Sequence, residues 1–347
     1  MNLILDNIIF SLQKSGGVSV YWYELLKRIV NENNNISFFE ENIFCQNIFR
    51  QKLDIPKEKI VTNTSYLPLS IKRYLPLNIN NSKLNHESIF HSSYYRTSYG
   101  VKKQVVTVHD FIYEYFSSGL PKIIHTNQKR NAIAKADVVI CISKNTRNDL
   151  LKLYPVFSGK RIEVIYNGVS EAFYPKYERQ ENTILYVGDR ADYKNFPFVV
   201  EVVHQLKNYQ LIIVGSPLNI KEKKLLELKL KGNYKIYSYI CEEKLNELYN
   251  QATCLVYPSS YEGFGIPVVE AMRTGCPVIA LNNSSLPEVC GETGIMLDEL
   301  SVSKFIEQIK YVQKNINVVT EANLIQSQKF SWSKCFDETN EIYKSIQ

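Results

Sequence analysis

The 347 residues contain no Cys-x-x-Cys pair, no Asp-x-Asp and no Gly-x-Gly-x-x-Gly. Without the first, and with five scattered histidines, no structural zinc site is expected. Without the second, a metal bridging carboxylates and phosphate loses its usual anchor, and without the third so does a nicotinamide cofactor. No apolar run approaches the roughly 18 to 20 residues that span a bilayer; the longest, such as ADVVICIS at 136–143, have strand length. The opening MNLILDNIIF lacks a basic start and carries Asp6 inside its apolar run, so it reads as a first strand and not as a secretion signal. Seven cysteines (45, 141, 241, 254, 276, 290 and 335) form an odd set, several within apolar runs, which suits reduced thiols in a cytoplasmic protein. The excess of 41 Lys+Arg over 35 Asp+Glu gives +6, too mild for a dedicated nucleic-acid binder but compatible with an anionic ligand or peripheral contact with the inner membrane leaflet.

What is present is alternation. Strand-like runs at 105–110, 137–143, 161–168, 183–188, 209–215 and 276–281 are separated by amphipathic segments, predicting an α/β architecture with parallel sheets covered on both faces. Many of these runs end in Gly, Ser, Asn or Asp, at the carboxyl ends where such sheets place their ligands. A polar stretch after RIEVIYNG places a domain boundary near 167, and residues 331–347 have the spacing of a closing helix. The Asn-rich NENNN (31–35) and NINNS (78–82) read as surface loops. KEKKLLELKLKG (221–232) reads as a helix with a solvated basic face, membrane attachment there being the lesser reading.

The densest chemistry lies in YPSSYEGFGIPVVEAMRTGCPVIA, 257–280. A strand leads to Glu262, then Gly263, Phe264 and Gly265 permit close backbone approach; Pro267 marks a helix start, with Glu270 expected in its first turn. A helix N-terminus attracts anions, whereas two carboxylates beside it repel them and suit hydroxyl groups. A ligand carrying both phosphates and hydroxyls is a sugar nucleotide. Arg190 and Lys194, in YVGDRADYKN, supply charge for its pyrophosphate. In isolation each glutamate could equally cap or complement a helix; with the glycines, Pro267 and the two cations, the functional reading prevails.

Gly16 and Gly17 precede an apolar-periodic helix, as a plain turn or as a point of phosphate approach. His109 ends the strand VVTVHD, where a histidine is either structural or catalytic, and Asp110 either orders an acceptor hydroxyl or caps the next helix. Among 24 Tyr and 16 Phe, mostly core, Tyr94 and Tyr95 with Arg96 are singled out for an acceptor side.

These residues carry a resemblance. The stretch 236–299, with its Glu262-x7-Glu270 pair, together with GGVSVYWYELLKR, HSSYYR, VVTVHDFIYE, VIYNGV and LYVGDRADYKN, resembles the family-4 retaining glycosyltransferases of GT-B fold. The resemblance implies two Rossmann-like domains facing across a cleft: 1–167 for the acceptor, 168–325 for the sugar nucleotide, and 326–347 returning as a helix to the first. It places Gly16 and Gly17 near the phosphates of the sugar nucleotide, His109 near the transferred sugar, Arg190 and Lys194 on the pyrophosphate, Glu262 on sugar hydroxyls and Glu270 on the ribose. The backbone of Phe264, Gly265 and Ile266 with Ser284, Ser285 and Leu286 would line phosphates and sugar. NNSSLPEV stands where many members have a glycine-rich sequence, as in a mannosyl- and rhamnosyltransferase branch, so the implied substrate is GDP-mannose, with dTDP-rhamnose or a UDP-sugar as alternatives. The acceptor would be an oligosaccharide or polyprenyl-linked glycan of a bacterial surface polysaccharide, and no metal or cofactor is expected. Two rivals remain: a sugar-nucleotide epimerase of like architecture, and a binding protein without turnover.

Overall fold

The computed structural model describes residues 2–30, 32, 35–41, 45–63, 66–78, 88–176, 178–180 and 182–347. Of the Asn-rich segments, 31, 33, 34 and 79–82 lie outside the described residues, while Asn35 opens a strand. The chain divides into two compact units, Met1–Asn167 with Trp332–Gln347, and Gly168–Ser331.

In the first unit the strands are β1 (Asn2–Asp6), β2 (Asn35–Glu41), β3 (Ile60–Asn63), β4 (Leu77–Asn78), β5 (Ile89–Ser92), β6 (Ser98–Tyr99), β7 (Lys103–Val108), β8 (Val138–Cys141) and β9 (Arg161–Val164). Seven of them form a sheet in the order β3-β2-β1-β5-β7-β8-β9, and β4 pairs with β6. In the second unit β10 (Thr183–Val187), β11 (Gln210–Val214), β12 (Tyr234–Tyr237), β13 (Cys254–Tyr257), β14 (Val278–Leu281) and β15 (Ile295–Leu297) form a sheet in the order β12-β11-β10-β13-β14-β15. Pairing of β10 with both neighbours is parallel. The central strands VVIC and CLVY are buried on both faces, which is why they read as continuous apolar runs without alternation. Each sheet reverses direction of growth beside its first strand, at β1/β5 and at β10/β13; that reversal opens a crevice at the strands' carboxyl ends.

The helix Trp332–Ser345 buries Trp332, Cys335, Phe336, Ile342 and Tyr343 in the core that also holds Tyr21, Trp22 and Leu25 of the helix Gly17–Ile29. The second boundary falls at Ser331/Trp332 and not at 325/326, because the helix Ile316–Ser327 is tied to the second unit. Asn323 Nδ2 donates to the Cys276 carbonyl (3.1 Å) and Gln326 Nε2 to that of Val289 (3.1 Å). Among the described residues no helix is long and apolar enough to cross a membrane.

Candidate functional site

In the second unit the crevice is built by the loops after β10 and β13. Val187 pairs with Val214, so Gly188 and Gly215 leave the sheet side by side. A Cβ on Gly215 would lie 2.3 Å from the Gly188 carbonyl oxygen and 3.2 Å from Arg190 Nη1; one on Gly188 (φ 137°) would lie 3.7 Å from Lys194 Nζ. Bare backbone therefore brings both cations to the strand ends.

Lys194 Nζ lies 3.0 Å from Glu262 Oε1, which also accepts from the Tyr257 hydroxyl at 2.8 Å. Burial works against the Lys194 charge, but Glu262, with Tyr257, Asp189 and Tyr193, outweighs it and holds the ammonium well above its ordinary range. The two loops are laced together: Asn195 Nδ2 donates to Pro258 O and Ser260 Oγ, both at 2.8 Å, and Ser260 N donates to Tyr193 O at 2.7 Å. The Glu262 N–H donates to Ser284 Oγ (2.9 Å), and the Ser285 hydroxyl lies within donating distance of the carbonyls of Glu262 (2.9 Å) and Phe264 (3.0 Å). Ser285 is fully buried in this role, a brace for the loop. Gly265 (φ 97°) starts the helix Ile266–Arg273, and a Cβ there would meet Leu286 Cδ2 at 3.0 Å, so Leu286 shapes the turn as packing. Phe264 sets its ring edge-on to Phe330, 5.5 Å away.

Glu270 falls in the second turn of that helix, not the first, because Ile266 and not a later residue opens it. Its Oε2 accepts from the Tyr249 hydroxyl at 2.8 Å. Burial pushes the carboxyl up to about 7, against the lowering effect of the Tyr249 bond. Glu262 and Glu270 thus differ: one is paired with a lysine, the other sits poised between its two protonation states. Arg190 Nη2 donates to Ser216 O (2.8 Å) and Pro217 O (2.9 Å), and Nε lies 2.9 Å from Glu222 Oε1. Tyr249, Tyr257, Gly188, Gly215 and Glu222 were not legible as site residues; only the two strand-end glycines and the Asn219-x-x-Glu222 capping pattern left any trace in the sequence.

In the first unit Gly16 caps the helix Gly17–Ile29 with no side-chain bond, and Gly17 is exposed at its first turn. His109 follows β7 and is buried, its backbone N–H donating to the Tyr95 hydroxyl (3.3 Å) and its ring edge-on to Tyr21 at 5.1 Å. Burial, aided by Lys129 and opposed by Asp110, lowers its pKa to about 4, so the imidazole is neutral at pH 7. Lys129 Nζ donates to the Asp110 carbonyl (2.7 Å) and pairs with Glu114 (2.8 Å). The Asp110 carboxylate accepts from Ile112 N at 3.0 Å, one position ahead of Phe111, the N-cap of the helix Ile112–Phe116.

Tyr94 is tilted against Tyr95 and lies under the Arg73 guanidinium (5.3 Å). Arg96 is turned into the protein. Its side chain, 1% exposed, is bonded to Asp6 through Nε (2.8 Å) and Nη2 and to Glu41 through Nη1 (2.5 Å), while Lys72 holds Glu41 from the other side at 3.2 Å. The guanidinium that ends HSSYYR looked like a ligand contact; two carboxylates from strand ends far away in sequence claim it instead. Among the described residues no group of His, Cys, Asp and Glu could hold a metal ion.

Similarity to known proteins fits this geometry. The family described as Glycosyl transferases group 1 matches residues 171–327, and the one described as Glycosyltransferase Family 4 matches residues 15–173. The chain is 25% identical over 372 residues to the O-antigen chain mannosyltransferase B of Escherichia coli, covering 95% of this chain and 96% of that protein. It is 28% identical over 228 residues to the O-antigen chain mannosyltransferase RfbU of Salmonella typhimurium, covering 64% of each. The sucrose-phosphate synthase structure from Thermosynechococcus elongatus superposes with a TM-score of 0.76 at 17% identity, covering 100% of this chain and 99% of that one. With both units matched in turn and the shared two-sheet fold, the chain belongs to the family-4 glycosyltransferases of GT-B fold.

Proposed function

We propose that this glycosyltransferase moves a hexosyl unit, mannose from GDP-mannose in the favoured reading, to a glycan acceptor, with retention at the anomeric carbon and without a metal ion. The crevice at β10/β13 carries the reading: two cations and two carboxylates, Glu262 paired with Lys194 and Glu270 pushed up by burial, gathered beyond the carboxyl ends of adjacent strands. Arg190 and Lys194 take the pyrophosphate, the backbone from Gly263 to Ile266 and Ser284 approach phosphates and sugar, Glu262 accepts from sugar hydroxyls and Glu270 from the ribose. His109, as a neutral ring with one donor and one acceptor, suits a sugar hydroxyl better than a phosphate. Gly16 and Gly17 are assigned to the phosphates as well. The mannosyl reading draws on the two O-antigen mannosyltransferases and on the sequence NNSSLPEV.

In the reaction the bond from C1 to the pyrophosphate oxygen breaks, the acceptor oxygen bonds to C1 on the same face, and its proton passes to the departing phosphate oxygen. Cationic side chains that meet developing charge on the leaving diphosphate lower this barrier more than they stabilise the bound substrate. The acceptor, assigned to the first unit, is a lipid-linked oligosaccharide of a surface polysaccharide. The test is a titration of GDP, UDP, dTDP and ADP and their common sugars in EDTA, followed by an acceptor panel. A specific nucleotide-sugar that binds in EDTA and yields nucleoside diphosphate only when acceptor is added supports the reading. Turnover of the nucleotide-sugar to an isomer would support an epimerase, and binding by none would remove the charge assignment.

A further inference from the structure

We propose that Glu222 is the positioning residue of Arg190: its carboxylate fixes the guanidinium against the loop Gly215–Asn219 before any diphosphate arrives. The proposal rests on the reading of Arg190 as a diphosphate contact. Glu222 stands in the first turn of the helix Ile220–Leu230, and its two oxygens have separate tasks. Oε2 accepts from Asn219 N at 2.8 Å and closes the capping box, while Oε1 lies 2.9 Å from Arg190 Nε. On its other edge the guanidinium is held by the carbonyls of Ser216 and Pro217 through Nη2. The side chain is only 4% exposed.

The guanidinium donates hydrogen bonds through Nη2 alone; Nε is held by the ion pair to Glu222 without a hydrogen bond, and Nη1 is left over. Nη1 is buried and has no hydrogen-bond partner, and it faces the bare backbone of Gly215, where a Cβ would lie 3.2 Å away. A buried donor without a partner is a standing cost that a ligand oxygen would remove. A long, flexible side chain ordered in advance also spares the ligand that ordering. An ammonium could not be gripped on two edges while presenting a third, which is a reason for arginine at 190 and lysine at 194. Glu222 therefore couples the start of a helix to the geometry of a binding group on another loop.

The test is calorimetric titration of the full chain with GDP and with UDP, in Glu222→Gln, Asn219→Ala, Arg190→Ala and the Arg190→Ala/Glu222→Gln double variant. Gln keeps an acceptor for Asn219 N, so the cap survives while the charge facing Arg190 is lost. Glu222→Gln is expected to melt with the wild type and to bind the nucleotide about tenfold more weakly, the scale of re-ordering one long side chain. Asn219→Ala should bind as the wild type does, and Glu222→Gln should add nothing once Arg190 is gone. Wild-type or tighter binding in Glu222→Gln, with Arg190→Ala weakened, overturns the proposal and leaves the reading of Arg190 standing. Equal weakening in Asn219→Ala also overturns it, because the cap alone then accounts for the effect. Unchanged binding in Arg190→Ala removes both.

Discussion

Lys194 and Glu262 form an ion pair, Nζ to Oε1 3.0 Å, between the loops that follow two adjacent strands of the second unit. Both side chains are mostly buried, 12% and 11% exposed, so the pair is a brace of the crevice as well as its charge. A diphosphate that engages Lys194 must share it with Glu262. Glu262→Gln should therefore leave affinity for a bare nucleoside diphosphate undiminished while transfer falls about thirtyfold, the ~2 kcal/mol of one charge-assisted contact. Lys194→Ala should weaken the nucleoside diphosphate itself. Calorimetry and single-turnover transfer read the two effects; equal loss of nucleotide affinity in both variants would mean that the pair acts only as a brace.

His109 contributes stability with a definite sign. Its pKa is lowered to about 4 in the folded chain, against 6.5 ordinarily, so between those values the unfolded chain binds the extra proton. Stability of the first unit should be fully present above about 6.5 and lost as pH falls toward 4, by about 3 kcal/mol from this residue. Trp22 and Trp332, the chain's two tryptophans, both lie in that unit's core, so tryptophan fluorescence in urea reports it selectively. His109→Gln should lessen the pH dependence and leave the part that buried His91, lowered to about 3, contributes in the same unit; an unchanged slope would place the proton elsewhere.

Glu270 has the opposite sign. Its pKa is raised to about 7 from 4.5, so its contribution to the second unit is present below about 4.5 and fades as pH rises through 7. Nucleotide affinity should vary across pH 6 to 8 beyond what the phosphate's own titration produces, as the carboxylate that accepts a ribose hydroxyl forms. In Glu270→Gln that extra dependence should vanish. Calorimetry at several pH values in both chains decides it, and identical profiles would remove Glu270 from the ribose.

Arg96→Met should behave as a core lesion. It strands the carboxylates of Asp6 and Glu41, both buried, and breaking such a pair from one side costs about 3 to 5 kcal/mol. The urea midpoint of tryptophan fluorescence should drop accordingly, while the folded fraction keeps its acceptor KM. A raised acceptor KM at unchanged stability would restore Arg96 to a ligand.

Much of this site was readable as pattern. The strand end at 188 with the cations at 190 and 194, and the strand end at 257 with the glycines before Pro267, each form a short local stretch that turn chemistry places. Partners from far along the chain were not readable. Nothing near HSSYYR announces that Arg96 belongs to Asp6 and Glu41, since only the β2-β1-β5 order brings them together. The resemblance placed Ser285 on phosphates and sugar, whereas its hydroxyl lies against the carbonyls of Glu262 and Phe264, more than twenty positions earlier in the chain. Glu270 moved from the first turn to the second because the helix starts one residue earlier than Pro267, within the usual uncertainty of a helix boundary.

The core of the first unit is assembled from residues more than three hundred positions apart. Tyr343 bonds His91 Nδ1 (2.6 Å), whose Nε2 meets Thr107 Oγ1 (3.0 Å), which in turn meets the Tyr21 hydroxyl (3.1 Å) next to His109. During synthesis, the contiguous second unit is therefore complete while the first still waits for Trp332, Phe336 and Tyr343 to cover Tyr21 and Trp22. The nascent first unit carries an open apolar seam until then, and order on the ribosome runs against order along the chain: the unit begun first is finished last.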